Sequence, residues 1–488
     1  MRKIQFPSNG EDKDAIMANL KAMKKQDLNW QSGKVFSYIY GTDESVMEMA
    51  QEAYKLYLTE NGLDPSSFPS LLKLETEVIS MVAGLLNGGQ EATGNCTSGG
   101  TESVILAVKT ARDFARATRP EVTNPEIIVP VTAHPCFNKA AHYLGVSIKM
   151  IPVDPVTYRA DVKAMEAAIT DQTIMMVGSA PSYTHGVIDP IDELAPMAKS
   201  RGILFHVDSC VGGMYLPFAK MLGYDIPPFD FSVDGVTSIS CDLHKYGYVP
   251  KGCSSIIYKD KELRQYQLFA SALWPGYALV NPTVLSSKTG GPMAAAWAMF
   301  HHLGIEGYKK MTKACQEATI QLTQGINAIP ELKVLGEPKM SLFTFTTTTD
   351  ALNVFELSEA LSKKGWFVQA QLETPASPAS LHISMTDHNT PHVPALLEDL
   401  KTCIAELTSG KENKSKEMLM GLDSSMIQLM LADFNPDMLD MLETFLGTNE
   451  SGMPEDMVMI NNLLNGLSAD QREMLLKAFV NRMFTSPK

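Results

Sequence analysis

Between residues 126 and 258, short and nearly continuous apolar runs alternate with helical stretches. No other feature constrains the fold of this chain as strongly. Residues 126–131, 147–153, 173–177, 202–207 and 253–258 read as strands, and helical patterns at 159–170 and 191–201 separate several of them. An amphipathic helix over 101–119, with Val104, Leu106, Val108 and Ala111 on its apolar face, precedes them. Strands without a polar face are buried on both sides, so this alternation predicts an α/β fold with a mostly parallel sheet and helices on both faces. In such sheets ligands bind beyond the carboxyl ends of the strands. Asp208, in the run Phe205-His206-Val207-Asp208-Ser209, sits at such an end.

The length of 488 residues implies two or three domains. Residues 1–70 read as an N-terminal arm of polar helical segments around an aromatic patch at 30–40. Residues 71–310 form the large domain. Residues 311–410 read as a smaller α+β unit, with a helix over 309–326, strands at 332–335, 341–346 and 380–385, and a helix near 353–364. A charged linker at 411–416 leads to a Met- and Leu-rich tail that Asn435-Pro436-Asp437 and Gly452-Met453-Pro454 break into short helices. Those helices are expected to pack on the body or on a second copy; the alternative is an adaptable Met-rich surface for a partner.

A net charge of −14 argues against non-specific binding to nucleic acid or anionic membranes. Seven cysteines without a CxxC pair fit reduced thiols and a cytoplasmic location better than a disulfide framework. No run of about 18 apolar residues occurs, so no membrane span is expected.

Lys245 stands in Asp242-Leu243-His244-Lys245-Tyr246-Gly247-Tyr248, 37 residues after Asp208. A strand-end acid followed by a His-Lys pair is what pyridoxal 5'-phosphate requires. The lysine forms a Schiff base with the aldehyde, and the acid keeps the pyridine nitrogen protonated so that the ring accepts electrons. Lys245 is flanked by small residues, not by acids that would tie it into a surface ion pair. Thr97-Ser98-Gly99-Gly100-Thr101-Glu102-Ser103 opens the amphipathic helix. Its small residues and the helix dipole suit a phosphate, with Ser98, Gly99, Gly100 and Thr101 as the cradle. His134, just after a strand, is placed to stack on the cofactor ring or to move a proton. His206-x-Asp208 is half a metal pair, but no third ligand is suggested nearby, so no metal is expected.

The segment from Phe229 through Asp242-x-His244-Lys245-Tyr246-Gly247-Tyr248-x-Pro250-Lys251-Gly252 resembles the sphingosine-1-phosphate lyases, within the group II pyridoxal phosphate decarboxylase superfamily. Further matches are Val131-Thr132-Ala133-His134, Gly178-Ser179-Ala180-Pro181, Trp274-Pro275-Gly276 and Ala294-Ala295-Ala296-Trp297, and the likeness covers roughly residues 30–410. The resemblance implies a fold-type I enzyme with a seven-stranded-type sheet, a small C-terminal domain and a homodimer with shared active sites. It implies Lys245 as the Schiff-base lysine, Asp208 as the pyridinium partner and His134 as the stacking residue. Gly100, Thr101 and His244 would hold the cofactor phosphate, with Ser287 of the partner subunit reaching it. Tyr40, Tyr183 and Lys251 fall at substrate-side and proton-transfer positions. Three departures stand out: Asp64 where a His is usual, Lys288 where an Arg is usual, and Ser209 where Ala is common. A carboxylate near a substrate phosphate would repel it.

The implied activity is cleavage of a phosphorylated sphingoid base to a fatty aldehyde and phosphoethanolamine. An L-amino-acid decarboxylase is the alternative within the superfamily. A regulatory paralogue that keeps only the fold fits poorly with an intact Lys245, Asp208 and His134 set.

Overall fold

The computed structural model describes residues 6–409 and 456–484. Its main sheet contains β1 (Thr93–Thr97), β2 (Glu126–Pro130), β3 (Ser147–Ile151), β4 (Thr173–Ser179), β5 (Leu204–Asp208), β6 (Val236–Cys241) and β7 (Ser254–Tyr258). The order is β1-β7-β6-β5-β4-β2-β3. Only β7 runs antiparallel to its neighbours, β1 and β6; the remaining pairs are parallel. Every residue of β2, β4 and β7 is buried, with apolar residues at the strand centres and polar ones, such as Glu126, Ser179 and Ser254, at the ends.

Alternate side chains divide this sheet between two cores. Ile127, Val129, Met175 and Val177 pack with Val104, Val108 and Phe137 from the helices Gly100–Thr118 and Cys136–Leu144. Ile128, Met176, Phe205 and Ile239 face the opposite core, with Leu194 and Ala198 of the helix Ile191–Ser200. This two-residue period is the direct consequence of the pleat.

Two strands of the sheet are absent from the sequence reading. β1 is Thr-Gly-Asn-Cys-Thr, with no apolar run, and a side chain at Gly94 would run into the Ile256 carbonyl of β7. β6 carries Ser238 and Ser240, buried and hydrogen-bonded to both ring nitrogens of His206 on β5. Hydroxyls satisfied across a strand pair are tolerated in a core, but they erase the apolar signal.

A hairpin of β8 (Phe269–Ser271) and β9 (Leu279–Asn281) projects from the body. The second sheet, β10 (Leu332–Val334), β11 (Leu342–Thr347), β12 (Gln369–Gln371) and β13 (Ser380–Ser384), has order β10-β11-β13-β12 and is antiparallel throughout. The helices Val354–Lys363 and Val393–Thr408 share its core. One helical element, Gly291–Asn327, spans the expected boundary near 310 and kinks at Gly304, whose φ is 57°.

The N-terminal arm is stitched into the second sheet. Phe36 is fully buried there, its amide donates to Phe367 O (2.9 Å), and its carbonyl accepts from Ser384 N (2.7 Å). From the tail, the helix Met457–Asn465 places Val458 in the same core, and it is followed by the helix Ala469–Met483. The expected linker at 411–416 and the breakers at 435–437 and 452–454 lie outside the described residues. Among the described residues, no helix is long and apolar enough to cross a membrane.

The large sheet's domain meets the second sheet at Gly186. Its φ is +68°, its carbonyl accepts from Lys339 N (2.9 Å), and a Cβ there would drive into the Leu342 carbonyl oxygen. Gly186→Ala combines left-handed strain with a backbone clash. It is expected to destabilise the protein by at least about 2 kcal/mol, read as a lower midpoint in chemical denaturation.

Candidate active site

Strands β2, β4, β5 and β6 run in one direction, so their carboxyl ends lie along one edge of the sheet. Along this edge β5 ends in Asp208, β4 ends in Ser179, and the turns after β2 and β6 carry His134 and Asp242-Leu243-His244-Lys245. The helix Gly100–Thr118 starts at the same edge. Together they enclose a cavity of about 600 Å³. Ser98, Gly99, Gly100, Thr101, His134, Asp208, His244, Lys245, Tyr40, Tyr183 and Lys251 all line it. Their sequence separations show why tertiary structure is needed to gather them.

Lys245 does have an acidic partner, contrary to the sequence expectation. Its Nζ lies 2.9 Å from Asp242 Oδ2, three residues back, and the Asp242 side chain is only 3% exposed. The fold, not local sequence, turns that carboxylate inward. Burial pulls the lysine's pKa down. The Asp242 carboxylate, with smaller help from Tyr40 and Cys210, outweighs it and holds the ammonium well above its ordinary value. Burial likewise raises the Asp242 pKa, and Lys245 and His244 bring it below the usual carboxylate range.

Asp208 Oδ1 accepts the Cys210 amide (3.1 Å) and the Ser240 hydroxyl (3.4 Å). His206, buried between Ser238 Oγ (2.9 Å) and Ser240 Oγ (3.2 Å), is pushed down to a pKa of about 4 by burial. It is a neutral structural link, not half of a metal pair, and no cluster of three potential metal ligands occurs among the described residues.

His134 accepts the Cys136 amide at Nδ1 (3.2 Å), which leaves Nε2 to carry the proton; burial lowers its pKa, against Asp208. His244 accepts the Cys253 amide at Nδ1 (3.2 Å). Lys251 is exposed as a residue; its ammonium donates to the His244 carbonyl (3.4 Å) and lies over the Tyr40 ring, 4.7 Å from the centroid. There burial first, and the Lys245 charge second, push its pKa down to about 8. Tyr183 donates to Gln369 Oε1 of β12 (2.9 Å), and its ring lies 4.3 Å from that of His382. Burial raises the pKa of both tyrosines.

Other sequence-derived candidates lie apart. Ser287 lines a neighbouring cavity of about 300 Å³ that shares Ser98, Glu102 and Lys251 with the first. Lys288 is paired with Glu75 (3.1 Å). Ser209 is buried and donates to the Ala180 carbonyl (2.8 Å). Asp64 is exposed and lines neither cavity. It closes a turn by accepting from Ser66 N (2.8 Å), Ser66 Oγ (2.6 Å) and Ser67 Oγ (2.9 Å), so within its own subunit it does not meet the site as a repelling carboxylate.

Asp242, Glu102, Cys210 and Gln369 line the site without having been singled out. Glu102 accepts from Ser98 N (2.6 Å) and from Val284 N (2.6 Å), tying the Gly-rich turn to the loop that leads to Ser287. Its signal was an acid in the first turn of a helix. Asp242 was visible as the acid of the Asp-x-His-Lys motif.

The cavity's donor set fits pyridoxal phosphate. It brings an amine, a strand-end carboxylate and a glycine-rich helix start to one cavity. Asp242 Oδ1 is buried without a hydrogen-bond partner, and a side chain on Gly100 would crowd that carboxylate and Cys210 Sγ. The first observation leaves an acceptor free on the cavity wall, and the second shows that only glycine lets the helix start approach it.

In cofactor-free protein, Asp242→Asn removes the main contribution that keeps Lys245 charged and leaves only the smaller contributions of Tyr40 and Cys210 against the effect of burial. The neutral-amine fraction then rises, so Lys245 acylates at lower pH than in the unmodified chain. Peptide mapping after brief acylation across a pH series checks this; an unchanged profile contradicts it.

The conserved domain of pyridoxal-dependent decarboxylases matches residues 1–348. A second family, described as the C-terminal putative HTH domain of pyridoxal-dependent enzymes, matches residues 416–482, a tail that the sequence resemblance left out. A sphingosine-1-phosphate lyase from Oryza sativa is 42% identical over 82% of this chain and 74% of its own length. A probable L-aspartate decarboxylase from Pyrococcus furiosus is 35% identical over 75% of this chain and 95% of its own. The structure of a Burkholderia pseudomallei sphingosine-1-phosphate lyase superposes with a TM-score of 0.79 at 34% identity, covering 89% of this chain and 98% of that one. With a Lys245–Asp208–His134 cavity at the strand ends and relatives of this extent, the chain belongs to the pyridoxal-dependent decarboxylase family, in its sphingosine-1-phosphate lyase branch.

Proposed function

We propose that this enzyme is a pyridoxal phosphate-dependent carbon–carbon lyase that splits a phosphorylated sphingoid base into a fatty aldehyde and phosphoethanolamine. The observation that carries the reading is the meeting of Lys245, Asp208 and His134 with the Tyr40–Lys251 pair in one cavity. The similarity to lyases at 34–42% identity over most of the chain supports the choice of reaction.

The cofactor, when bound, supplies an electron sink that lets a bond beside the substrate amine break. Lys245 carries it covalently through Nζ, and Asp208 supplies the negative charge that keeps a ring nitrogen protonated. His134 covers the ring face. Ser98, Gly99, Gly100, Thr101 and His244 hold the phosphate end, with Ser287 of the partner subunit. Lys251, with a pKa near 8, is the group that takes the hydroxyl proton as the carbon–carbon bond opens, while Tyr40 and Tyr183 orient the substrate and limit water.

A homodimer is the assembly we propose. Leu273, Trp274, Tyr277 and Val280 of the β8–β9 hairpin are all more than half exposed, and the helix Lys13–Met23 has no buried residue. Apolar patches of this kind mark association surfaces. The seven thiols are free and buried, which suits the reducing cytoplasm.

The second reading, decarboxylation of an amino acid, is favoured by the Pyrococcus relative. Incubation with sphingosine 1-phosphate and with a panel of amino acids separates the two: aldehyde and phosphoethanolamine support the lyase, and carbon dioxide from an amino acid overturns it. The lyase reading also sets a pH dependence. A base must be neutral to accept a proton, so kcat/KM rises with pH through about 8. Lys251→Arg keeps its charge over this range and is expected to lose about 100-fold or more in kcat.

A further inference from the structure

The catalytic cavity reaches Tyr38 and Gln369, and both residues also line a second groove of about 250 Å³. The floor of that groove comes from the second sheet and its helices, where Phe355, Trp366 and Val368 are buried, and Ser358, Glu359 and Ser362 line its polar side. Its outer wall is the tail helix Met457–Asn465, which contributes Met457, Val458 and Asn461. Nothing in the proposed chemistry uses this space.

Three observations point to an occupant. Tyr38 stands at the junction of the two spaces, 54% exposed, with φ at 67° and its ring 5.6 Å from Phe367. A tyrosine in the left-handed region is uncommon, and such strain is kept where function holds it. The tail helix is also fixed in place. Asn353 Nδ2 donates to Asn462 Oδ1 (3.0 Å), Glu373 N donates to Asn465 Oδ1 (2.6 Å), and Arg472 of the following helix donates to the Glu373 carbonyl (2.7 Å). Met457 is nonetheless left 45% exposed, a flexible apolar side chain that the described residues do not cover. Finally, the catalytic cavity is about 600 Å³; on the proposed function it takes the cofactor and the phosphorylated amino alcohol, and a long alkyl chain leaves through its mouth.

We propose that this groove is the subsite for the substrate's alkyl chain, so that the C-terminal helix sets the preference for chain length. The inference rests on the reading of the substrate as a long-chain phosphorylated amine. A chain leaving past Tyr38 meets either water or the groove between Phe355, Val368 and Met457, and burial against those groups is favourable for each methylene.

The test uses a series of 2-amino-1,3-diol 1-phosphates of increasing chain length. With the unaltered enzyme, kcat/KM rises by up to about fourfold for each methylene that enters the groove. Met457→Asp is expected to lower the long-to-short ratio of kcat/KM at least tenfold, and Met457→Leu to restore it. An unchanged ratio, or equal loss for long and short chains, overturns the subsite. A substrate analogue with a diazirine at the chain end gives a second measurement on the unaltered enzyme. Labelling within residues 355–370 or 457–461 supports the proposal, and labelling confined elsewhere overturns it. If no member of the series is cleaved while an amino acid is decarboxylated, the underlying reading fails and the subsite falls with it. Cleavage of the series with an insensitive ratio sinks the subsite alone.

Discussion

A half-buried ammonium held by one buried carboxylate lies at the centre of this molecule. Lys245 Nζ and Asp242 Oδ2 are 2.9 Å apart, and the acid is almost entirely withdrawn from solvent. A lone charge at Asp242 would be costly, and the pair is tolerable because the half-buried Lys245 ammonium answers it. The remaining Asp242 oxygen has no protein partner, so the arrangement is incomplete on the side that faces the Gly-rich helix start. An unsatisfied polar atom on a cavity wall is a common mark of a functional site. The arrangement also means that covalent capture of a cofactor must break an ion pair that the cofactor-free fold favours.

The scaffold around that pair is rigid for an identifiable reason. β5 and β6 are joined below the site by neutral hydrogen bonds between His206 and two serines, with Ser240 also donating to Asp208. Burial keeps His206 uncharged through the physiological range, so this support does not titrate while the enzyme works. Asp208 is thereby aimed from two directions, by its own strand end and by the neighbouring strand. Glu102 performs a similar task on the other side, linking Ser98 to Val284. Charged groups line the cavity above the sheet edge, and neutral or fully bonded groups below it fix their positions.

Much of this was legible in the sequence, and the exceptions have physical causes. Apolar strands such as β2 and β4 announced themselves because both faces of the sheet are covered. β1 and β6 did not, since one depends on a glycine that lets backbones approach and the other on serines satisfied across the sheet. The motif around Lys245 identified the chemistry, but the orientation of Asp242 is a property of the turn after β6, and no local pattern encodes it. The departures at Asp64 and Lys288 looked like changes in the site. Asp64 instead closes a surface turn, and Lys288 has found Glu75. The end of the tail packs on the body, as the sequence led one to expect: Val458 enters the core of the second sheet and Asn462 accepts from Asn353.

The central claim is that one amine, Lys245 Nζ, carries the cofactor. Borohydride reduction of the cofactor-loaded protein, followed by mass-spectrometric peptide mapping, tests it most directly. The account predicts a single pyridoxyl phosphate adduct on Lys245 and none on Lys251, its neighbour in the cavity. Reduction that leaves Lys245 unmodified, or that places the adduct on another lysine, would contradict it.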